Sequence, residues 1–224
     1  MNNLNHIENQ IDNSIISSEL TNLTSGITEV GIDGLLENGI LKDLPIVSSI
    51  ISATKIGIAI KERIFLKKVL SFLYQVKDIP INERQKFIEK ITGDDKYKTK
   101  VGESLLLILD KLNDYTKAEL IGKLFAASIK GEIDYNTFLK LSNIIDRCYV
   151  PDLHNLVLIY KGSQSQVDDV ETDILYNLGV LINKGVNGQT FMYRDDEKIP
   201  NKRNQLEINK YGKLIVKILF TKDF

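Results

Sequence analysis

Two histidines and one cysteine are the residues of this chain best suited to nucleophilic or acid–base chemistry, and each lacks the neighbours such chemistry needs. His6 lies near the start among asparagines and isoleucines. His154 stands beside Leu153 and Leu156, which suits a surface or boundary position better than a catalytic base. Cys148 follows Asp146 and Arg147, but helical spacing puts it on the stripe of Ile144 and Ile145, as a small core residue. The sequence holds no GxGxxG, no phosphate-cradling glycine loop and no nucleophile elbow. Its carboxylates form no spaced pair distinct from solvated helix faces. A single cysteine excludes a disulfide framework and a cysteine metal site, and fits a reducing cytoplasm. The expectation is a non-enzyme with no cofactor and no metal.

One segment has the outline of a cation loop. GEIDYNTF, Gly131 to Phe138, resembles the second half of a calcium-binding loop of the EF-hand type. Aligned on its glycine, that loop would place Ala126, Ser128 and Lys130 at the first oxygen positions and Thr137 at the bidentate one. Calcium needs hard oxygens there, and a lysine repels it. The segment reads as a connection between two helices, with Gly131 at the C′ position of the first and Asp134 as N-cap of the second.

Charge is laid out unevenly, although the net charge of the 224 residues is only −1. The first 41 residues have no Lys or Arg but carry Glu8, Asp12, Glu19, Glu29, Asp33 and Glu37. A secretory or transit segment needs basic residues, so the chain is expected to stay where it is made, in the cytoplasm or peripheral to the inner membrane face. A basic face follows at Lys61, Arg63, Lys67 and Lys68, and a basic C-terminal region contains Lys198, Lys202, Arg203, Lys210, Lys213 and Lys217. Basic residues after an apolar run can hold anionic headgroups at about 1 kcal/mol each. A solvated face with snorkelling lysines explains the same pattern without a membrane.

The elements that must position these groups are mostly helical. Leu4, Ile7, Ile11, Ile15, Leu20, Leu23, Ile27 and Val30 form a narrow helical stripe, so residues 1–40 read as an amphipathic acidic arm. Residues 41–150 read as a helical bundle organised around Leu44–Val76. Its apolar half, Leu44 to Ile60, contains only Lys55 as a charge. Ser49, Ala53 and Gly57 make a small-residue ridge along it, for close helix packing or for a membrane-active helix. Spanning a bilayer takes roughly 20 apolar residues, so burial against the equally apolar Leu105–Leu112 is the expected role. Helices are predicted over Ile81–Ile91, Val101–Leu112 and from a capping box at Thr116–Glu119.

Beyond Pro151 the reading is helix (Leu153–Tyr160), loop, helix (Val167–Ile182), strand (Thr190–Arg194), strand (Gln205–Ile208) and a last helix from Lys210 to about Phe220. With its segments LYNLGVLINKG and LEINKYGKLIVKIL, residues 151–224 resemble the winged helix-turn-helix class. The bundle, through DLPIVSSI, FLKKVLSFL and KAELIGKLF, resembles uncharacterised bacterial helical proteins of mobile elements, a likeness that implies no activity. A winged helix implies DNA binding, yet the helix in the recognition position opens with Asp168, Asp169, Glu171 and Asp173, which would repel phosphate.

The fold class expected is therefore mainly α, a helical bundle followed by a small α+β winged-helix-like domain. The function expected is that of an interaction protein, binding a protein partner or itself, as an accessory or host–phage conflict factor with a membrane-active helix. The alternative is a winged-helix transcriptional regulator contacting DNA through Lys198, Lys202, Arg203, Lys210 and Lys213.

Overall fold

Helices begin and end where proline, glycine and capping side chains permit. The computed structural model describes residues 2–23, 41–53, 60–97, 100–184 and 206–220. Among these the chain is mainly α, with ten α-helices and one antiparallel strand pair. In order they are α1 (Asn2–Ile15), α2 (Pro45–Ala53), α3 (Ile60–Tyr74), α4 (Ile81–Thr92), α5 (Val101–Lys111) and α6 (Tyr115–Ile129). Then come α7 (Tyr135–Arg147), α8 (Asp152–Tyr160), α9 (Asp169–Asn177), β1 (Leu181–Asn183), β2 (Leu206–Ile208) and α10 (Lys210–Phe220). The chain divides into two compact units, Met1–Ser142 and Asn143–Phe224, so the division falls inside α7, ahead of Pro151.

The first unit is built on the pairing of α3 with α6. Leu66, Val69, Leu70, Phe72 and Leu73 of α3 are buried, as are Leu120, Ile121, Leu124 and Phe125 of α6. A Cβ at Gly122 would lie 2.7 Å from the Phe72 carbonyl oxygen, so only glycine lets these two backbones approach so closely. Aromatic rings fill the centre. Phe125 lies 5.3 Å from Phe72, 5.4 Å from Phe87 and 5.2 Å from Phe138, in tilted and edge-on arrangements.

α1 packs chiefly on α2 and α5, with Ile11, Ile15 and Ser14 buried. The expected continuous stripe to Val30 is interrupted. α1 stops at Ile15, the Ser17 side chain accepts the Glu19 N–H at 3.1 Å, and a single 3₁₀ turn follows at Ser18–Asn22. Serine competes with the helix by bonding nearby backbone, which ends it here. Ile27 and Val30 lie outside the described residues. The Leu44–Val76 segment meets two partners. α2 buries Ile46, Val47 and Ile50 and rests chiefly on α1, while α3 touches α5 as well as α6. The Ser14 hydroxyl accepts the Ile46 N–H at 2.9 Å, so α1 caps the start of α2.

Several local expectations match the structure, and one shifts. Gly131 has φ of 75° after the C-cap Lys130, and Asp134 accepts the Thr137 N–H at 2.9 Å at the start of α7. The capping box expected at Thr116–Glu119 is absent there. Asp114 caps α6 through the Thr116 N–H at 2.8 Å, and Glu119 pairs with Lys123 at 2.9 Å instead.

In the second unit the helix expected over Val167–Ile182 is shorter. Gly179, with φ of 81°, turns the chain after α9, and Leu181–Asn183 become β1. β1 pairs with β2 in the register Leu181↔Ile208, Ile182↔Glu207 and Asn183↔Leu206. The strand expected at Thr190–Arg194 lies outside the described residues; the strand expected at Gln205–Ile208 is β2, Leu206–Ile208. Asn209 joins strand and helix. Its amide donates to the carbonyls of Gly179 and Leu181 at 2.8 and 3.2 Å, and its Oδ1 accepts the N–H groups of Tyr211 and Gly212 that open α10.

Candidate functional site

Two arrangements stand out from the packing, one in each unit. In the first, buried cations close the ends of α1 and α5, and a glycine lets these two helices cross closely. Arg84 of α4 is 1% exposed. Its Nε donates to the Ile79 carbonyl at 2.8 Å, and its Nη1 donates to the carbonyls of Ile15 and, at 3.3 Å, Ser17. A guanidinium thus closes the C-terminal end of α1, where unsatisfied carbonyls carry partial negative charge. Lys68 of α3 does the same for α5, donating to the carbonyls of Asp110 and Leu112 at 3.0 Å each. Burial lowers the proton affinity of both cations, that of Lys68 against the opposing pull of Asp110.

The third tie is at Gly102 of α5. A Cβ there would collide with the Glu8 carbonyl oxygen of α1 and come within 3.1 Å of Asp12 Cγ. Asp12 lies in this crossing with Oδ1 buried and without a hydrogen-bond partner. Burial pushes its carboxyl up to about 6, against the Gly102 N–H and the Lys100 charge, which favour the ionised form. Lys100 also donates to the Asn9 side chain at 3.3 Å. The Tyr135 hydroxyl of α7 is buried as well. Burial raises its phenol, with the Ser104 side chain opposing and the Asp12 charge adding to the rise. This cluster can take up a proton near neutrality, but it holds no nucleophile. An open cleft of about 440 Å³ borders Ser18, Lys77 and Arg84, and the Arg84 guanidinium there donates to the backbone carbonyls of Ile79, Ile15 and Ser17.

The second arrangement is the surface of α9. Asp168 accepts the Glu171 N–H at 2.8 Å while Glu171 accepts the Asp168 N–H at 3.4 Å, a reciprocal capping box. Thr172 and Leu175 point inward. Val170 and Ile174 point outward at 70% and 39% exposure, with Asp173 exposed beside them. An isolated exposed Val is ordinary, but two apolar residues one turn apart on a carboxylate-rich helix form a face.

The residues singled out from sequence fall as follows. Ser49 is half-buried on α2, Ala53 ends that helix, and Gly57 lies outside the described residues, so the ridge is not brought together as a described surface. Lys61 and Arg63 are exposed on α3, and Lys67 places its Nζ 3.7 Å over the Tyr115 ring. Lys68 does not belong to that basic face, because it is buried on two carbonyls. Lys210 and Lys213 are exposed on α10, whereas Lys198, Lys202 and Arg203 lie outside the described residues. Cys148 is buried, its Sγ donating to the Ile145 carbonyl at 3.2 Å, and His154 is exposed. Sequence reasoning passed over Arg84 and Asp12, since nothing local tells a buried Arg or Asp from a surface one on a helix.

Among the described residues no His, Cys, Asp and Glu side chains gather as a metal site, and no helix is long and apolar enough to cross a membrane. Comparison of the chain with protein-family models, curated proteins and solved structures finds no match.

Proposed function

We propose that this is a non-enzymatic interaction protein, in which a helical bundle carries a winged-helix-like unit adapted to contact protein rather than DNA. The observation that carries the reading is the outer face of α9. A recognition helix approaches phosphate with its first turns, and here those turns present Asp168, Asp169 and Asp173 around the exposed Val170 and Ile174. Carboxylates oppose the cation–phosphate contacts that supply most DNA affinity, while exposed apolar residues one turn apart suit a helix-in-groove or helix-on-helix contact.

The test has two arms, run on the purified full chain. Retention on duplex DNA in low salt should be absent. Salt-sensitive retention that weakens on charge reversal of Lys210 and Lys213 would overturn the reading in favour of a DNA-binding regulator. In the second arm, a partner identified by co-purification and then purified itself should bind the wild-type chain and lose binding to V170D/I174D. Undiminished binding to that variant would remove α9 from the contact.

A further inference from the structure

The outer face of α9 has a counterpart of opposite charge elsewhere in the same chain. In α9 the sequence Val170-Glu171-Thr172-Asp173-Ile174 sets two apolar residues four apart, with acids at the second and fourth places. In α3 the sequence Ile60-Lys61-Glu62-Arg63-Ile64 has the same spacing, with bases at those two places. On a helix the first and fifth positions share one line, about 40° apart, and the second and fourth fall on either side of it. Each helix therefore carries an apolar line between two charged borders, basic on α3 and acidic on α9.

Both lines face solvent. Ile60 is 77% and Ile64 55% exposed, and Val170 is 70% and Ile174 39% exposed. The α3 line continues to Lys67, whose Nζ rests on the partly exposed ring of Tyr115. The third residue of each motif turns away from the line. Thr172 is buried, and its hydroxyl donates to the Asp168 carbonyl at 2.7 Å.

We propose that the chain associates with itself, the Ile60–Ile64 line of one copy packing on the Val170–Ile174 line of a second copy. The proposal rests on the reading that α9 contacts protein, and it names the partner. Opposite signs favour this pairing in either direction. If the helices run antiparallel, Lys61 meets Glu171 and Arg63 meets Asp173. If they run parallel, Lys61 meets Asp173 and Arg63 meets Glu171. α3 on α3 or α9 on α9 would set like charges along both borders, so the two faces reject copies of themselves. Two copies related by a two-fold axis make this contact twice and close as a dimer, whereas a head-to-tail arrangement extends until a larger ring closes.

Sedimentation velocity on the full chain tests this directly. The weight-average mass should rise with protein concentration in low salt and fall back as salt screens the borders. D173K should weaken association about tenfold or more, and I64D should abolish it. Either of two charge swaps should then restore it: K61E/D173K if the helices are parallel, R63E/D173K if they are antiparallel. A wild-type chain that stays monomeric up to its solubility limit overturns the proposal. So does an oligomer indifferent to I64D and V170D, or a failure of both swaps. Sedimentation of a monomeric chain with anionic phosphatidylserine vesicles would assign the α3 line to lipid and equally overturn it. A monomer that still binds a purified protein through α9 removes only the second copy, whereas duplex binding removes the underlying reading as well.

Discussion

α1 carries Glu8 and Asp12, and α9 carries Asp169, Glu171 and Asp173; the fold turns Asp12 inward and leaves Asp169 and Asp173 exposed. Asp12 lies in the crossing with α5, one oxygen without a partner and its carboxyl near 6. Glu171 closes a capping box, and Asp173 stands in solvent beside Val170 and Ile174. The two helices are alike in local composition and differ in what surrounds them. α1 is held from three sides, by Arg84 at its end, Gly102 across its middle and the start of α2 on Ser14. α9 keeps one side for its own unit and leaves the other free. The same residue types therefore serve stability in one place and availability in the other.

Changes to α1 should cost folding free energy, and changes to the outer face of α9 should cost less. The largest effect is expected from R84A, which leaves the carbonyls of Ile15, Ser17 and Ile79 without their donor and opens a cavity. A loss of roughly 3–4 kcal/mol in urea denaturation is expected. A loss near zero would mean that water caps α1 equally well.

G102V comes next. Its side chain has no space against the Glu8 carbonyl, so α1 must lift, at roughly 2–3 kcal/mol. Hydrogen exchange should speed up in α1 before it does in α6, and uniform acceleration would count against a local lift.

Asp12 sets a smaller, pH-dependent effect. Its folded value of about 6 lies above the ordinary 3.8, so the folded chain binds the proton more tightly than the unfolded one. That stabilisation is complete below the ordinary value and is lost as pH rises through about 6. Allowing for its partial exposure, the loss should be about 1–2 kcal/mol between acid and neutral solution. D12N should flatten this slope, and an unchanged slope would assign it to another group.

The smallest change in stability belongs to V170D/I174D, about 1 kcal/mol, because Val170 already faces water and only part of Ile174 is covered. If that variant unfolded readily, α9 would be a buried helix and the contrast with α1 would vanish.

Much of the helical order was legible from the chain itself. Val101–Lys111 follows its leucine run, α4 runs from Ile81 to Thr92 ahead of Gly93, and Lys210–Phe220 begins and ends as periodicity suggests. Cap residues were legible where one side chain serves its own helix, as with Asp134. They misled at Thr116, because an aspartate two residues earlier competes for the same backbone groups. β1 was hidden because LYNLGVLIN continues the apolar character of α9, and only pairing with β2 makes it a strand. The α9 face was visible as charge but not as a surface, since Val170 and Ile174 could equally have faced the core.

Sequence alone placed most of the described helices, though not the end of α1 or β1, and it determined that acids and bases are segregated and that no familiar catalytic motif is present. Those properties depend on spacing along the chain, which is local. Tertiary structure alone decided that α2 rests on α1, that Arg84 and Lys68 are buried helix caps rather than surface charges, and which side of α9 remains open. Each of these depends on carbonyls or apolar surface supplied by distant residues. A cation enters a core only when another segment brings the acceptors to it.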